Sequence, residues 1–215
     1  MRHTMTVGSL WPQARLLLLV LALLLGACGG RTEPPRMARL SDDATILAFG
    51  DSLTYGSGAA TDESYPVRLQ TLIGRRVINA GVPGETTEGG LQRLPAALKQ
   101  ADPDLVILCL GGNDMLRRQD RARMKENLAA MIGLIREHQV PVILLGVPEP
   151  KLIGLSTEET YLNLAAQFGL ALEAEALPAI LGDAARRADQ IHPNAQGYAD
   201  LADAIAHLLR QSGAI

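Results

Sequence analysis

Aromatic residues are scarce in this sequence: Phe, Trp and Tyr together make up 3% of its 215 residues. A core must therefore be built from Leu, Ile, Val and Ala, which suits buried parallel strands that read as aliphatic runs. Basic charge is not in excess either, with 20 Lys and Arg against 23 Asp and Glu and a formal net charge of −3. That excludes the clustered cationic surface by which proteins hold nucleic-acid phosphates, so no nucleic-acid partner is expected. Cysteine is limited to Cys28 and Cys109. A domain with one cysteine cannot form a Cys-based zinc site, and no His/Cys/Asp spacing suggests another metal. Two common signatures are missing. Gly56-Ser57-Gly58 has Thr61 where a dinucleotide fingerprint needs a third small residue, and no Gly-x-Ser-x-Gly elbow occurs. No cofactor is expected. What is present is a 47% apolar chain long enough for one full hydrophobic core.

The N-terminus reads as an address. Arg2 and Arg15 precede an unbroken apolar run at 16–25, which is too short for the roughly 20 residues that cross a bilayer. It ends in Leu25-Gly26-Ala27-Cys28, which looks like a bacterial lipobox. Residues 1–27 are then a removed signal peptide, and Cys28 carries lipid; the alternative is an ordinary signal peptide cut near Cys28. Loss of Arg2 and Arg15 takes the formal charge from −3 to −5. The polar, Pro- and Gly-containing stretch that follows makes 28–43 a lipidated cysteine and flexible tether. Gly29 is not Asp, which fits outer-membrane placement at the periplasmic face of a Gram-negative host. Residues 44–215 are the domain. With Cys28 lipidated no disulfide can form, and Cys109, inside the apolar run 105–110, is a small hydrophobe.

Within the domain, strands are expected at 44–49, 77–79, 105–110 and 142–147, with a weak one at 170–172. Between them fall helices near 66–73, from Thr86 onward, around 124–135, and over 158–168. A last helix at 195–210 turns Tyr198, Leu201, Ile205, Leu208 and Leu209 inward. Ser64 is placed to cap the first helix, and a long loop precedes the last. The alternation specifies a three-layer α/β/α, flavodoxin-like fold on a mostly parallel five-stranded sheet. Ligands of such sheets sit at the carboxyl ends of the strands, where the motifs below fall.

Ser52, in Gly50-Asp51-Ser52-Leu53, follows the first strand. It is a nucleophile if a base takes its proton, and otherwise a turn serine. Of four histidines, only His192 lies in a loop. Asp189, three residues earlier, can hold the imidazole Nδ1 so that Nε2 faces the serine, or can merely cap a turn. An oxyanion formed on attack needs fixed donors. The Ser52 N–H, the backbone at Gly84 and the Asn113 amide of Gly111-Gly112-Asn113-Asp114 are candidates, although Gly-Gly-Asn is turn chemistry in any case.

Taken together, these four motifs resemble the SGNH (GDSL) hydrolase superfamily, in its bacterial thioesterase/arylesterase/lysophospholipase branch, over roughly residues 44–211. The resemblance implies Ser52 as nucleophile, Asp189 and His192 completing a triad, and Gly84 and Asn113 as oxyanion donors beside the Ser52 N–H. Two departures bear on the pocket mouth: Glu85 stands where the branch more often has Asp, and Pro83 stiffens the turn. The expected activity is hydrolysis of acyl esters, lysophospholipids or thioesters through an acyl-enzyme. Envelope polysaccharide deacetylation and an inactive lipid-anchored binding protein are the alternatives. Substrate is expected to lie against Met115, Leu116, Val147, Pro148, Leu152 and Ile153, all apolar and following strands. No oligomer is implied.

Overall fold

The aliphatic runs form one parallel sheet. The computed structural model describes residues 33–215, and within it β1 (Thr45–Gly50), β2 (Arg76–Gly81), β3 (Leu105–Cys109), β4 (Val142–Leu145) and β7 (Ala171–Glu173) lie in the order β2-β1-β3-β4-β7. Every pairing is parallel. Their side chains are almost wholly buried in the centre, from Ile46 to Phe49 and from Leu105 to Cys109, as expected where helices cover both faces. Chain growth reverses after β2, because β1 is flanked by β2 on one side and β3 on the other. The crevice beyond the carboxyl ends of β1 and β3 is therefore the switch point at which ligands bind in such folds.

Helices α2 (Tyr65–Ile73) and α8 (Ala195–Gln211) pack against each other, as do α3 (Thr87–Ala101) and α5 (Arg121–Glu137), with α6 (Glu159–Phe168) beside α5. In α8, Tyr198, Leu201, Ile205, Leu208 and Leu209 are all buried, the stripe that a 3.6-residue period requires. Among the described residues, no helix is long and apolar enough to cross a membrane.

Several features depart from the expectations. Three short helices, α1 (Ser52–Tyr55), α4 (Gly112–Leu116) and α7 (Ala176–Gly182), stand where turns or loop were expected. A hairpin of β5 (Pro148–Pro150) and β6 (Leu155–Thr157) follows β4, which ends at Leu145 and not at Val147. Ser64 does stand at the N-terminus of α2, but its hydroxyl donates to the Thr61 carbonyl at 3.2 Å and caps no amide. The tether is also shorter than expected. Its first residues, with Cys28 and the signal segment, lie outside the described residues. From Met37 it is docked: the Met37 and Leu40 amides donate to Ser212 and Ala214 carbonyls at 2.8 Å, and Leu40 is buried. The nearly buried Arg75 guanidinium donates to the carbonyls of Ser41 (2.9 Å) and Leu40 (3.3 Å), so polar composition here marks a bonded segment rather than a free one.

Candidate active site

β1 delivers Gly50 to the crevice, and the chain turns at Asp51 into α1. The Asp51 carboxylate accepts the Leu53 amide at 3.0 Å and so fixes Ser52 in the first turn. Across the crevice, residues 186–194 fold back on themselves: the Ala188 amide donates to the His192 carbonyl at 2.9 Å, and the Asn194 amide to Arg186 at 3.0 Å. This loop can approach only because Gly58 lies beneath it. A Cβ there would come within 2.6 Å of the Pro193 carbonyl and 2.8 Å of Ala188, at a φ of +95°. Tyr198 anchors the same region, donating to the Ser57 carbonyl at 2.8 Å.

The result is a linear relay. His192 Nε2 lies 3.0 Å from Ser52 Oγ, and its Nδ1 lies 2.8 Å from Asp189 Oδ2. The other Asp189 oxygen accepts the Ile191 and His192 amides, both at 2.8 Å. Burial opposes ionisation of Asp189, but these hydrogen bonds outweigh it and hold its carboxyl below the usual carboxylate range. A carboxylate on Nδ1 fixes the tautomer that leaves Nε2 free to take a proton from the serine.

Of the expected oxyanion donors, Asn113 stands with Ser52 in the lining of one cavity, and Gly84 does not. Asn113, in α4 after β3, donates from Nδ2 to the Glu85 carbonyl at 3.0 Å and to Asp51 Oδ2 at 3.3 Å. The second bond is long. Gly84 occupies the turn after β2 at a φ of +79°, next to the Glu85 carbonyl that Asn113 holds. Its own carbonyl accepts from Arg117 Nη2 at 2.8 Å. Asp51 itself is wholly buried. Burial pushes its carboxyl up to about 7, against hydrogen bonds from Leu53 and Asn113 and the His192 charge, which favour ionisation.

A cavity of about 350 Å³ opens beside Ser52 and His192. Met115, Leu116, Val147 and Pro148 line it as expected; Leu152 and Ile153 do not. They form the tip of the β5–β6 hairpin and are 101% and 90% exposed, because the hairpin lines the cavity through Pro148, Glu149, Pro150 and Leu155 and turns beyond it. Leu53, Pro150, Leu155, Leu181 and Ile191 add to the apolar lining, and Arg118, Arg121 and Glu149 bring charge to it. Sequence reasoning missed these eight. Ile191 had a signal, lying between Asp189 and His192; Leu155 and Leu181 had none, since their elements lack a period.

A serine–histidine–aspartate relay at the switch point of a parallel sheet, with amide donors beside the serine, defines an ester hydrolase. The GDSL-like lipase/acylhydrolase family matches residues 48–199, and the chain belongs to that family. It is 35% identical to an esterase, TesA, of Pseudomonas aeruginosa, over 80% of this chain and 89% of that protein. It is 28% identical to an arylesterase of Vibrio mimicus, over 91% and 97% of the two chains. A crystal structure of TesA superposes with a TM-score of 0.71 at 33% identity, covering 78% of this chain and 99% of that one.

Proposed function

We propose that this chain hydrolyses carboxylic esters through an acyl-enzyme on Ser52. The observation that carries the reading is the unbroken relay from Asp189 through His192 to Ser52 Oγ, with both imidazole nitrogens engaged within 3.0 Å. Ser52 Oγ attacks the acyl carbon as its proton passes to His192 Nε2. The carbonyl oxygen becomes an oxyanion held by the Ser52 and Gly84 amides and by Asn113 Nδ2. Collapse expels the alcohol, which takes the proton from His192, and a water then releases the acid by the same steps in reverse. The lining of Met115, Leu116, Val147 and Leu155 suits a flexible acyl chain better than a sugar ring. Short to medium acyl chains with aryl or alkyl leaving groups are therefore the proposed substrates, with lysophospholipids and thioesters within reach. Each methylene adds about 1 kcal/mol at most, so selectivity for chain length is modest. Ser52→Ala should lower kcat by about 10³-fold or more with the fold unchanged. An organophosphonate should label Ser52 alone; a variant that keeps most of its esterase activity would refute the assignment.

The same proposal extends to location. Leu25-Gly26-Ala27-Cys28 supports lipidation at Cys28 and anchoring in the cell envelope, at the periplasmic face of the outer membrane. Three acyl chains on one cysteine hold firmly, since each buried CH₂ contributes about 0.8 kcal/mol. Cys28→Ser should leave the precursor unprocessed or move the protein out of the membrane fraction. An unchanged distribution and mass would reject the anchor.

A further inference from the structure

Asp114 is a buried acid that the relay does not use. It is 3% exposed and follows Asn113 directly in α4, but does not line the cavity. Both of its carboxyl oxygens are taken by one residue, Thr87, the first of α3. Oδ1 accepts the Thr87 hydroxyl at 2.6 Å, and Oδ2 accepts the Thr87 amide at 2.9 Å. The same hydroxyl accepts from Asn127 Nδ2, in α5, at 3.1 Å. Thr87 and Asn127 are buried as well, so three helices meet in one polar cluster away from water. A hydroxyl–carboxylate bond of this length is about twice as strong as a neutral one, and leaving any member unpaired there is costly.

Helix α4 depends on such an anchor. It has five residues, and its N-cap, Gly111 at a φ of +116°, gives it no side-chain hydrogen bond. A single turn of helix does not hold itself together, because its nucleus fixes several dihedrals for very few bonds. Its place is therefore set from outside, by three grips on the stretch 84–87. Arg117 Nη2 donates to the Gly84 carbonyl at 2.8 Å, Asn113 Nδ2 donates to the Glu85 carbonyl at 3.0 Å, and Asp114 holds Thr87. Arg117 is exposed and Asn113 half-buried. The Asp114 bonds are the ones that water cannot replace.

We propose that Asp114 is a positioning residue of the oxyanion hole. Through Thr87 it fixes α4 against the start of α3, and so fixes the Asn113 amide in the cavity that it shares with Ser52. This rests on Asn113 as an oxyanion donor, as proposed above, and deepens that reading. Displacing a catalytic group by about 1 Å costs on the order of 10²-fold in rate, whereas ground-state binding, made mostly by the apolar lining, hardly depends on it. Two donors from one residue need two acceptors side by side. A carboxylate supplies them; an asparagine offers one oxygen and sets its own N–H against a donor.

Variants of the full chain test this, with p-nitrophenyl butyrate as substrate and sites counted by an organophosphonate. Asp114→Asn should lower kcat about tenfold with KM nearly constant. On top of Asn113→Ala, itself slower by about 10²-fold, the same change should lower kcat by less than about twofold, because the amide that it places is gone. The melting temperature should fall in both backgrounds. Parental kcat in Asp114→Asn, or an equal loss repeated on Asn113→Ala, would overturn the positioning role and leave the esterase reading intact. Parental kcat in Asn113→Ala would remove that residue from the oxyanion hole, and the proposal with it. If Asp114→Asn does not fold, Thr87 decides. Thr87→Val, which drops the hydroxyl at nearly the same shape, should lose about as much kcat as Asp114→Asn was expected to lose. Thr87→Ser keeps the hydroxyl and should keep the parental kcat, even where its melting temperature falls. Equal kcat in the Val and Ser variants would overturn the role.

Discussion

Asp51 and Asp189 flank the same serine–histidine pair in opposite electrostatic surroundings. Asp189 is half exposed, and its carboxyl, although opposed by burial, is held low by the His192 ring and two amides. Its contribution to stability is present above the ordinary carboxylate value of 3.8 and is lost as pH falls through the lower folded value. Asp51 is the reverse case, raised to about 7 chiefly by burial. Between pH 3.8 and about 7 the folded chain keeps a proton that the unfolded chain has released. Stability from this group is therefore full below 3.8 and declines as pH rises through about 7. The difference amounts to roughly 4 kcal/mol. Asp51→Asn cannot ionise. Its amide meets the Asn113 donor at every pH, which adds an offset but no slope. The melting temperature of the Asn variant should therefore gain on the parent by about 5–10 °C between pH 5 and pH 8. A difference that stays constant over that range would mean that Asp51 ionises normally.

At the scale of elements, one side chain joins three of them. Arg93, from α3, donates Nε and Nη2 to the two Glu85 oxygens at 2.8 and 2.5 Å. It also donates to the carbonyls of Ala80 at 3.0 Å and Gly50 at 3.4 Å, and lies 4.0 Å over the Phe49 ring. The end of β1, the end of β2 and the turn carrying Gly84 thus share one guanidinium. Arg93→Met would leave the Glu85 carboxylate, only 8% exposed, without its partner, at a cost of about 2 kcal/mol once partial solvation of the Arg is allowed for. It would also loosen the oxyanion turn, and kcat should fall about tenfold or more with KM nearly constant. Replacing Glu85 with Met as well should recover stability without recovering kcat. Recovery of both would make the pair a structural strut only. None of this was legible in the sequence, where Glu85 and Arg93 are simply charges eight apart. The strands β1, β3 and β4 and the helix α8 were legible, because consecutive aliphatics and a 3.6 period leave no other partner for so much apolar surface. Ser52, Asp189 and His192, read from a strand end and the last loop, are brought into one hydrogen-bonded chain. Elements of three to seven residues, α1, α4, α7 and the β5–β6 hairpin, complete no period and were read as turns or loop. Leu152 and Ile153 were misplaced for a related reason. Apolar residues after a strand are usually buried, and only the hairpin's direction shows that these are not.

For the molecule as a whole, the boundary that matters is where the fold takes hold of the chain. Polar composition put it at residue 44, but Leu40 is buried and the Met37 and Leu40 amides are bonded to the C-terminal residues Ser212 and Ala214. The start and end of the described chain are thereby tied together, and Arg75, 9% exposed, donates to the carbonyls of Leu40 and Ser41 in the docked segment and to that of Ile73. If Cys28 carries lipid, only the nine residues from it to Met37 are left to span the gap, a reach of about 30 Å at full extension. A chain beginning at residue 44 loses the Leu40 contacts, about 2 kcal/mol, and strips acceptors from a buried guanidinium, about 1–3 kcal/mol more. Against a total of roughly 5–15 kcal/mol this is a large share, and the melting temperature should fall by about 10 °C. A chain beginning at residue 34 should melt with the mature protein in detergent-free buffer. If the two truncations melt together, residues 37–43 add nothing to the fold, and the joint between the chain's ends is incidental.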